Sequence, residues 1–163
     1  MKRIIPIVAI CIISTNLFSQ TYKLETIFSD KLTETYLSHW KVIEPLNDVS
    51  ISTFSLWGYQ LYFDDWTKGV YEVEYFKGNA NETFRFLTEI NQFSEKYKNE
   101  DKILTHILGV QVKTVKQLGF KYTLVYDKEN KVICMFTQKQ WLAMLTELVS
   151  YCDKMNIDYK QNE

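Results

Sequence analysis

The chain has 163 residues, with 19 basic and 20 acidic side chains and a formal net charge of −1 at pH 7. Phosphate contacts dominate nucleic-acid affinity, so a chain with no basic surplus or basic cluster argues against a nucleic-acid partner. Hydrophobic residues make up 46% of the chain, which is enough for a packed core and too much for a disordered protein.

The first 19 residues have the pattern of an export signal. Lys2 and Arg3 form a basic start, and residues 4–13 are almost wholly apolar. That run is too short for a membrane-spanning helix, and no later apolar run approaches the required length. An N-terminal core helix or a retained anchor is the alternative interpretation.

The end of this segment resembles bacterial export signals that close with Phe-Ser-Gln. Ser19 is the small residue before a cut at Gln20, whereas Leu17 departs from the small residue expected two positions earlier. We therefore expect a signal peptide over residues 1–19 and one exported domain, periplasmic or secreted, over residues 20–163. Loss of Lys2 and Arg3 would leave 17 of the 19 basic side chains against 20 acidic ones, a net charge near −3.

The beginning of the mature chain predicts two strands separated by a helix. Residues 20–28 favour a strand, and residues 29–38 favour a short helix, for which Ser29 or Asp30 can supply the N-cap. Residues 39–46 favour a second strand, which Pro45 stops.

A long hairpin is predicted next. Residues 49–63 and 70–76 have the alternation of strands, with a loop at residues 64–69. Trp57 and Tyr59 lie on one face of the first strand, at the spacing of core residues. The return of the chain after the loop and the alternation of side chains along both strands thus indicate an antiparallel pair.

The middle of the chain predicts a helix followed by a strand. Asn79 and Glu82 have the spacing of a capping box, so the helix covers residues 79–98. Residues 103–113 favour a single strand, and residues 114–118 a connector.

The C-terminal stretch is the most legible, with a hairpin over residues 119–136 that leads directly into an amphipathic helix. Thr137 and Gln140 form a second capping box, and Trp141 opens the apolar stripe. The remaining stripe residues recur at three- and four-residue steps: Leu145, Leu148, Cys152 and Met155.

Together these elements predict an α+β fold with an antiparallel sheet and two long amphipathic helices on one face, in two layers. The order reads as βββα twice, and both helices contain Leu-Thr-Glu at the same distance from the N-cap. Internal duplication and chance similarity between two amphipathic helices both remain open.

The cysteines of the mature chain are predicted to be buried free thiols. If the last helix folds back on its own strand, Cys152 and Cys134 lie about 12 Å out of register, from 1.5 Å per helical and 3.3 Å per strand residue. That separation is beyond the reach of a disulfide.

No motif for catalysis, cofactor binding or metal binding is present in the sequence. His39 and His106 are the only histidines, and we expect His106 to be a half-buried, hydrogen-bonded strand residue. Glu72 and Glu74 point the same way from one strand, which is typical of a solvent-facing side.

The aromatic content of 15% is the one unusual feature, and aromatic side chains bind sugars and partner proteins well. A core built from large side chains is the alternative interpretation. Trp66 lies in a predicted loop, where burial is least assured, so it is the candidate binding residue, together with Tyr62, Asp64 and Asp65. Asp64 and Asp65 lack the pattern of a calcium loop.

The sequence therefore favours an exported, non-catalytic binding or inhibitor-like module for an unknown protein or carbohydrate partner. One alternative is a small secreted hydrolase that uses scattered Glu, Asp and His; acidic or histidine side chains converging in one pocket would favour it. Another is a structural subunit of an envelope assembly, which an open strand edge would favour.

The export prediction is tested by the intact mass of the secreted material. The mass should correspond to a chain that begins near Gln20, because the signal is removed on export. Recovery of the chain with Met1 intact from the cytoplasm would contradict both the compartment and the cleavage.

Overall fold

The computed structural model describes residues 21–43, 50–64, 67–129, 131 and 133–160. The predicted export signal and Pro45, the predicted end of the second strand, lie outside these ranges. The described elements, in chain order, are β1 (Thr21–Asp30), β2 (Thr35–Ile43), β3 (Ser50–Asp64), β4 (Thr67–Gly78), α1 (Ala80–Lys96), β5 (Leu104–Ile107), β6 (Val110–Gln117), β7 (Phe120–Tyr126), β8 (Ile133–Phe136) and α2 (Gln138–Met155).

The α+β class is confirmed, and the strands form two four-stranded sheets instead of one. The first sheet has the order β1-β2-β3-β4 and the second β5-β6-β7-β8, with antiparallel pairing throughout. Each helix follows one set of four strands. The predicted order, with three strands before each helix, is therefore one strand short in each half. In the described part of the chain, no helix is long and apolar enough to cross a membrane.

The helix predicted over residues 29–38 is wrong, because this stretch turns between β1 and β2. The Asp30 carboxylate accepts hydrogen bonds from the backbone N–H groups of Leu32 and Thr33, at 2.9 and 3.1 Å. These are the bonds that an N-cap aspartate also makes, and here they close a turn. Glu34 then adopts a positive φ of 47°, which a helix does not allow.

The single strand predicted over residues 103–113 is also wrong, since the chain reverses within it. Leu108 and Gly109 both have positive φ, 46° and 81°, as a two-residue hairpin turn of the primed type requires. The predicted connector at residues 114–118 is mostly part of β6, which continues to Gln117. A leucine at positive φ is an uncommon turn residue, and this explains why the turn was missed.

The β3–β4 hairpin is longer than the sequence predicts. Its pairing extends to Asp64 opposite Thr67, so only residues 65–66 separate the two strands. The register shifts between Leu56 and Trp57, which marks an irregularity in the middle of the hairpin.

Both predicted capping boxes are confirmed. The Asn79 side chain accepts from the N–H of Glu82, and the Glu82 carboxylate accepts from the N–H of Asn79. Thr137 and Gln140 make the same reciprocal pair at the start of α2. Each helix therefore begins where its local sequence specifies.

The core lies where the two helices meet the sheets. The helices contact each other, α1 packs on β3, β4, β5 and β7, and α2 packs on β1, β7 and β8. Phe86 of α1 stacks on Phe76 with ring centroids 4.1 Å apart. Trp141 is fully buried and donates its indole N–H to the carbonyl of Thr123 at 3.2 Å, which satisfies its polar atom.

Cys134 and Cys152 are both buried and free, as predicted. Burial raises the pKa of the Cys152 thiol to about 11 and that of Cys134 further still. Neither thiol is therefore a reactive nucleophile at neutral pH.

The start of α2 yields a stability prediction. Thr137→Ala should lower the free energy of unfolding by about 1 kcal/mol through loss of an N-cap. Trp141→Ala should lower it by about 3–5 kcal/mol, because the ring is fully buried. Urea denaturation measures both changes.

Leu142→Ala is the matched control, since Leu142 follows Trp141 in the helix and is 53% exposed. Its loss should be small. Equal losses for Leu142→Ala and Trp141→Ala would contradict the described orientation of α2.

Candidate functional site

The two faces of the first sheet carry different side chains. On one face, Leu37 and Phe54 are fully buried and belong to the core with the helices. Because side chains alternate along a strand, Tyr36 and Ser38 of β2 point to the opposite face, which we call the outer face.

Three aromatic rings form a cluster on the outer face. Tyr36 stacks on Trp57 with centroids 4.8 Å apart. Tyr59 meets both rings edge-on, with centroids 5.3 Å from Trp57 and 6.1 Å from Tyr36. Trp57 is 8% exposed and Tyr59 38% exposed, so Trp57 lies beneath and Tyr59 presents its ring to solvent. The sequence predicts Trp57 and Tyr59 on one face, as found, but that face is not the helix-covered core.

Acidic side chains border this aromatic cluster. Glu74 is the strand partner of Trp57 and Glu72 that of Tyr59, so both carboxylates lie on the outer face, as the alternation predicts. Glu74 accepts a hydrogen bond from Ser55 at 3.3 Å and forms an ion pair with Lys128 at 3.5 Å. The border of the cluster is therefore polar, and its negative charge is partly neutralised by Lys128.

The predicted binding residues Tyr62, Asp64, Asp65 and Trp66 have no described side chains, so the structure does not test them as a site. Asp65 and Trp66 lie outside the described residues. Tyr62 and Asp64 belong to the end of β3, opposite Gly69 and Thr67, and their side chains lie outside what the structure describes. The predicted site therefore stays a prediction, three to seven positions beyond Tyr59 along the chain.

A polar network lies on the helix side of the same sheet, centred on His39. Its Nδ1 lies 2.8 Å from the Tyr151 hydroxyl, and its Nε2 lies 2.6 Å from the Ser52 hydroxyl. Tyr151 donates to the Glu25 carboxylate, and Glu25 also pairs with Lys23. The imidazole stacks on Phe54 at 4.4 Å, with the two planes 4° apart, and this fixes the ring orientation.

The protonation of this network follows from its donors and acceptors. Hydrogen bonds from Lys23 and Tyr151 lower the pKa of Glu25, so the carboxylate is ionised and only accepts. Burial and the Glu25 carboxylate raise the pKa of Tyr151, which keeps its proton and gives it to Glu25. Tyr151 then accepts from His39 Nδ1–H. Burial lowers the pKa of His39, which leaves a neutral imidazole whose Nε2 accepts from Ser52.

This network opens into a cavity of about 250 Å³. The Ser52 side chain is exposed at its edge, whereas His39 is buried. Lys41, Met155 and Ile157 complete the lining of the cavity. Met155 is the last residue of α2, and Ile157 follows the helix. The arrangement places a serine hydroxyl, a neutral base, the Lys41 ammonium and the Lys23–Glu25 ion pair around one small space.

Sequence reasoning missed Ser52 and Tyr151 and gave His39 no role. His39 and Ser52 belong to neighbouring strands, so their proximity depends on the β2–β3 register, in which Lys41 faces Ser52 and His39 faces Phe54. The expected half-buried position of His106 is wrong, because its side chain is exposed on β5 next to the turn. Among the described residues, no group of three or more His, Cys, Asp and Glu side chains is placed to hold a metal ion.

The chain matches no protein-family model, no curated protein and no solved structure. The described geometry therefore carries the functional argument.

The charge state of His39 predicts how stability depends on pH. The pKa of His39 is lowered from 6.5 in the fold, so the unfolded chain takes up a proton first as the pH falls below 6.5. The stability that the neutral His39 contributes should thus be fully present above pH 6.5, and the free energy of unfolding should decrease as the pH falls below that value. Glu25, Lys23, Lys41 and Tyr151 surround the ring, and the lowered pKa of Glu25 places its own effect at more acidic pH.

Urea denaturation at several pH values between 5 and 7.5 measures this slope. A His39→Gln variant should be less stable at pH 7.5 and should lose the decrease that begins at pH 6.5. A slope unchanged in this variant would contradict the assignment.

Proposed function

We propose that the protein is an exported binding module that captures a protein or carbohydrate partner on the outer face of its first sheet. The observation that carries this proposal is the cluster of Tyr36, Trp57 and Tyr59 on the face away from the helices. Aromatic rings of this kind supply large contact area with few rotatable bonds, and they dominate binding energy at interfaces.

The cluster is pre-organised for binding. The Trp57 indole N–H donates to the Ser38 hydroxyl at 3.1 Å, and Tyr36 stacks on its ring. Trp57 thus supports the exposed edge of Tyr59 and leaves little side-chain freedom to lose when a partner binds. A surface ordered before binding retains more of its contact energy as affinity.

The charge beside the cluster restricts the partner. Glu72, opposite Tyr59, is exposed and brings a carboxylate to the outer face. A carboxylate beside aromatic rings accepts hydrogen bonds from hydroxyl groups and attracts cations, and it repels anions. We infer a partner surface that is neutral and rich in hydroxyl groups, or basic.

The repeated element order is consistent with an internal duplication, and we propose that the two helices and their sheets arose in this way. Leu87 and Leu145 each lie eight positions after the N-cap of their helix. The two helices also pack against each other. This contact supports the proposed arrangement in which both helices lie on one side of the sheets.

The test is partner capture from the envelope fraction by the purified protein, with Tyr59→Ala as the main variant. This change should weaken capture by about 2 kcal/mol, a factor of roughly 30, because it removes the exposed ring. The melting temperature should change little, because Tyr59 is partly exposed. Titration of the captured partner against each variant measures the loss.

Phe120→Ala is the matched control, since Phe120 is an exposed aromatic residue on the second sheet. It should leave capture unchanged. Capture that is equally weak for both variants, or unaffected by Tyr59→Ala, would contradict the proposal. Trp66→Ala, measured in parallel, tests whether the tip of the β3–β4 hairpin belongs to the same surface.

A further inference from the structure

We propose that Ser52 is a nucleophile and His39 its general base, in a second site that cleaves small carboxylic esters. The site lies on the helix side of the first sheet, and the aromatic cluster lies on the outer face. The activity therefore goes beyond the binding role and is independent of it.

The hydrogen bonds around His39 run in one direction, from His39 through Tyr151 to Glu25. The ionised Glu25 carboxylate accepts from Tyr151, so Tyr151 accepts from His39 Nδ1–H, and Nε2 carries the lone pair. Nε2 lies 2.6 Å from the Ser52 Oγ. A serine is activated when an adjacent base is placed to take its proton, and here a third group orients the base.

The base of this pair is held rigidly, and the nucleophile is exposed. His39 is held by Phe54 on one ring face and by bonds at both nitrogens. Ser52 remains exposed to the cavity of about 250 Å³, which is large enough for a small acyl group. The base is thus ordered before substrate enters, and the nucleophile is accessible.

A positively charged side chain lies beside Ser52. Lys41 is the direct strand partner of Ser52, so their side chains leave the same face of the sheet about 5 Å apart at Cβ. Lys23 is already paired with Glu25. The Lys41 ammonium is the positive charge that stabilises the oxyanion formed when Ser52 attacks a carbonyl group.

The reaction has two steps. Ser52 Oγ bonds to the carbonyl carbon while its proton moves to His39 Nε2, and the C–O bond to the alcohol breaks as His39 returns that proton to the leaving oxygen. Water then attacks the acyl-serine, gives a proton to His39 and releases the acid, and the proton returns to Ser52 Oγ. Tyr151 holds the imidazole in the required tautomer and is a positioning residue.

The experiment treats the purified full chain with a fluorophosphonate probe, which forms an Oγ–P bond and releases fluoride, and locates the adduct by peptide mass spectrometry. The adduct should be on Ser52 and absent from Ser52→Ala. His39→Gln should slow labelling by at least about 100-fold, the contribution of a general base. Labelling should accelerate with pH as His39 becomes neutral, with a midpoint below 6.5.

Ser29→Ala is the matched control, since Ser29 is an exposed serine of β1 whose strand partner is Tyr36 and not a histidine. It should label like the unaltered chain. Tyr151→Phe keeps the ring and should change the midpoint of the pH profile, whereas a merely structural tyrosine would leave that midpoint unchanged.

Lys41→Met should slow both labelling and the hydrolysis of p-nitrophenyl acetate, and it should raise the pH midpoint, because the Lys41 charge helps to lower the pKa of His39. Circular dichroism confirms that each variant is folded. Absence of labelling in the folded chain, or labelling that survives in Ser52→Ala, would overturn the proposal. Neither result bears on partner capture, which depends on the opposite face.

Discussion

The contact between Tyr151 and His39 joins parts of the chain that are 112 residues apart. Tyr151 belongs to α2, which follows the second sheet, whereas His39 belongs to β2 of the first sheet. The same tyrosine hydroxyl reaches Glu25 on β1, so a single side chain connects the last helix to two strands of the other sheet. The position of the imidazole proton depends on this contact, and the contact acts with the stacking on Phe54 to orient the ring.

Alternation along the strands divides the first sheet into two functional faces. His39 and Lys41 point toward the helices, while Tyr36 and Ser38 point away from them. A slip of one residue in β2 would exchange the two sets and destroy both the histidine network and the aromatic cluster. The register is held where burial is greatest, by Leu37 in the core. Packing of the helices thus also determines the arrangement of the exposed outer face.

Local patterns in the sequence predict the parts of this fold that depend on neighbouring residues. Both capping boxes, the hairpin before α2 and the buried positions Trp141, Leu148 and Cys152 of its stripe follow from spacings of two to four residues, whereas Met155 at the end of the stripe is exposed. The turns at Glu34 and Leu108 are missed because both place an ordinary residue at positive φ. The histidine site is missed for a different reason: Ser52 and Tyr151 carry no motif, and only the β2–β3 register and the packing of α2 bring them to His39.

The most direct test of the account is the tautomer of His39, measured by ¹⁵N NMR on the folded protein at neutral pH. The network requires a neutral ring with its proton on Nδ1, because Nδ1 donates to Tyr151 and Nε2 accepts from Ser52. Tyr151→Phe, which removes the acceptor of that proton, should weaken this preference. A proton on Nε2, or a ring charged at pH 7, would contradict both the described network and the role proposed for Ser52.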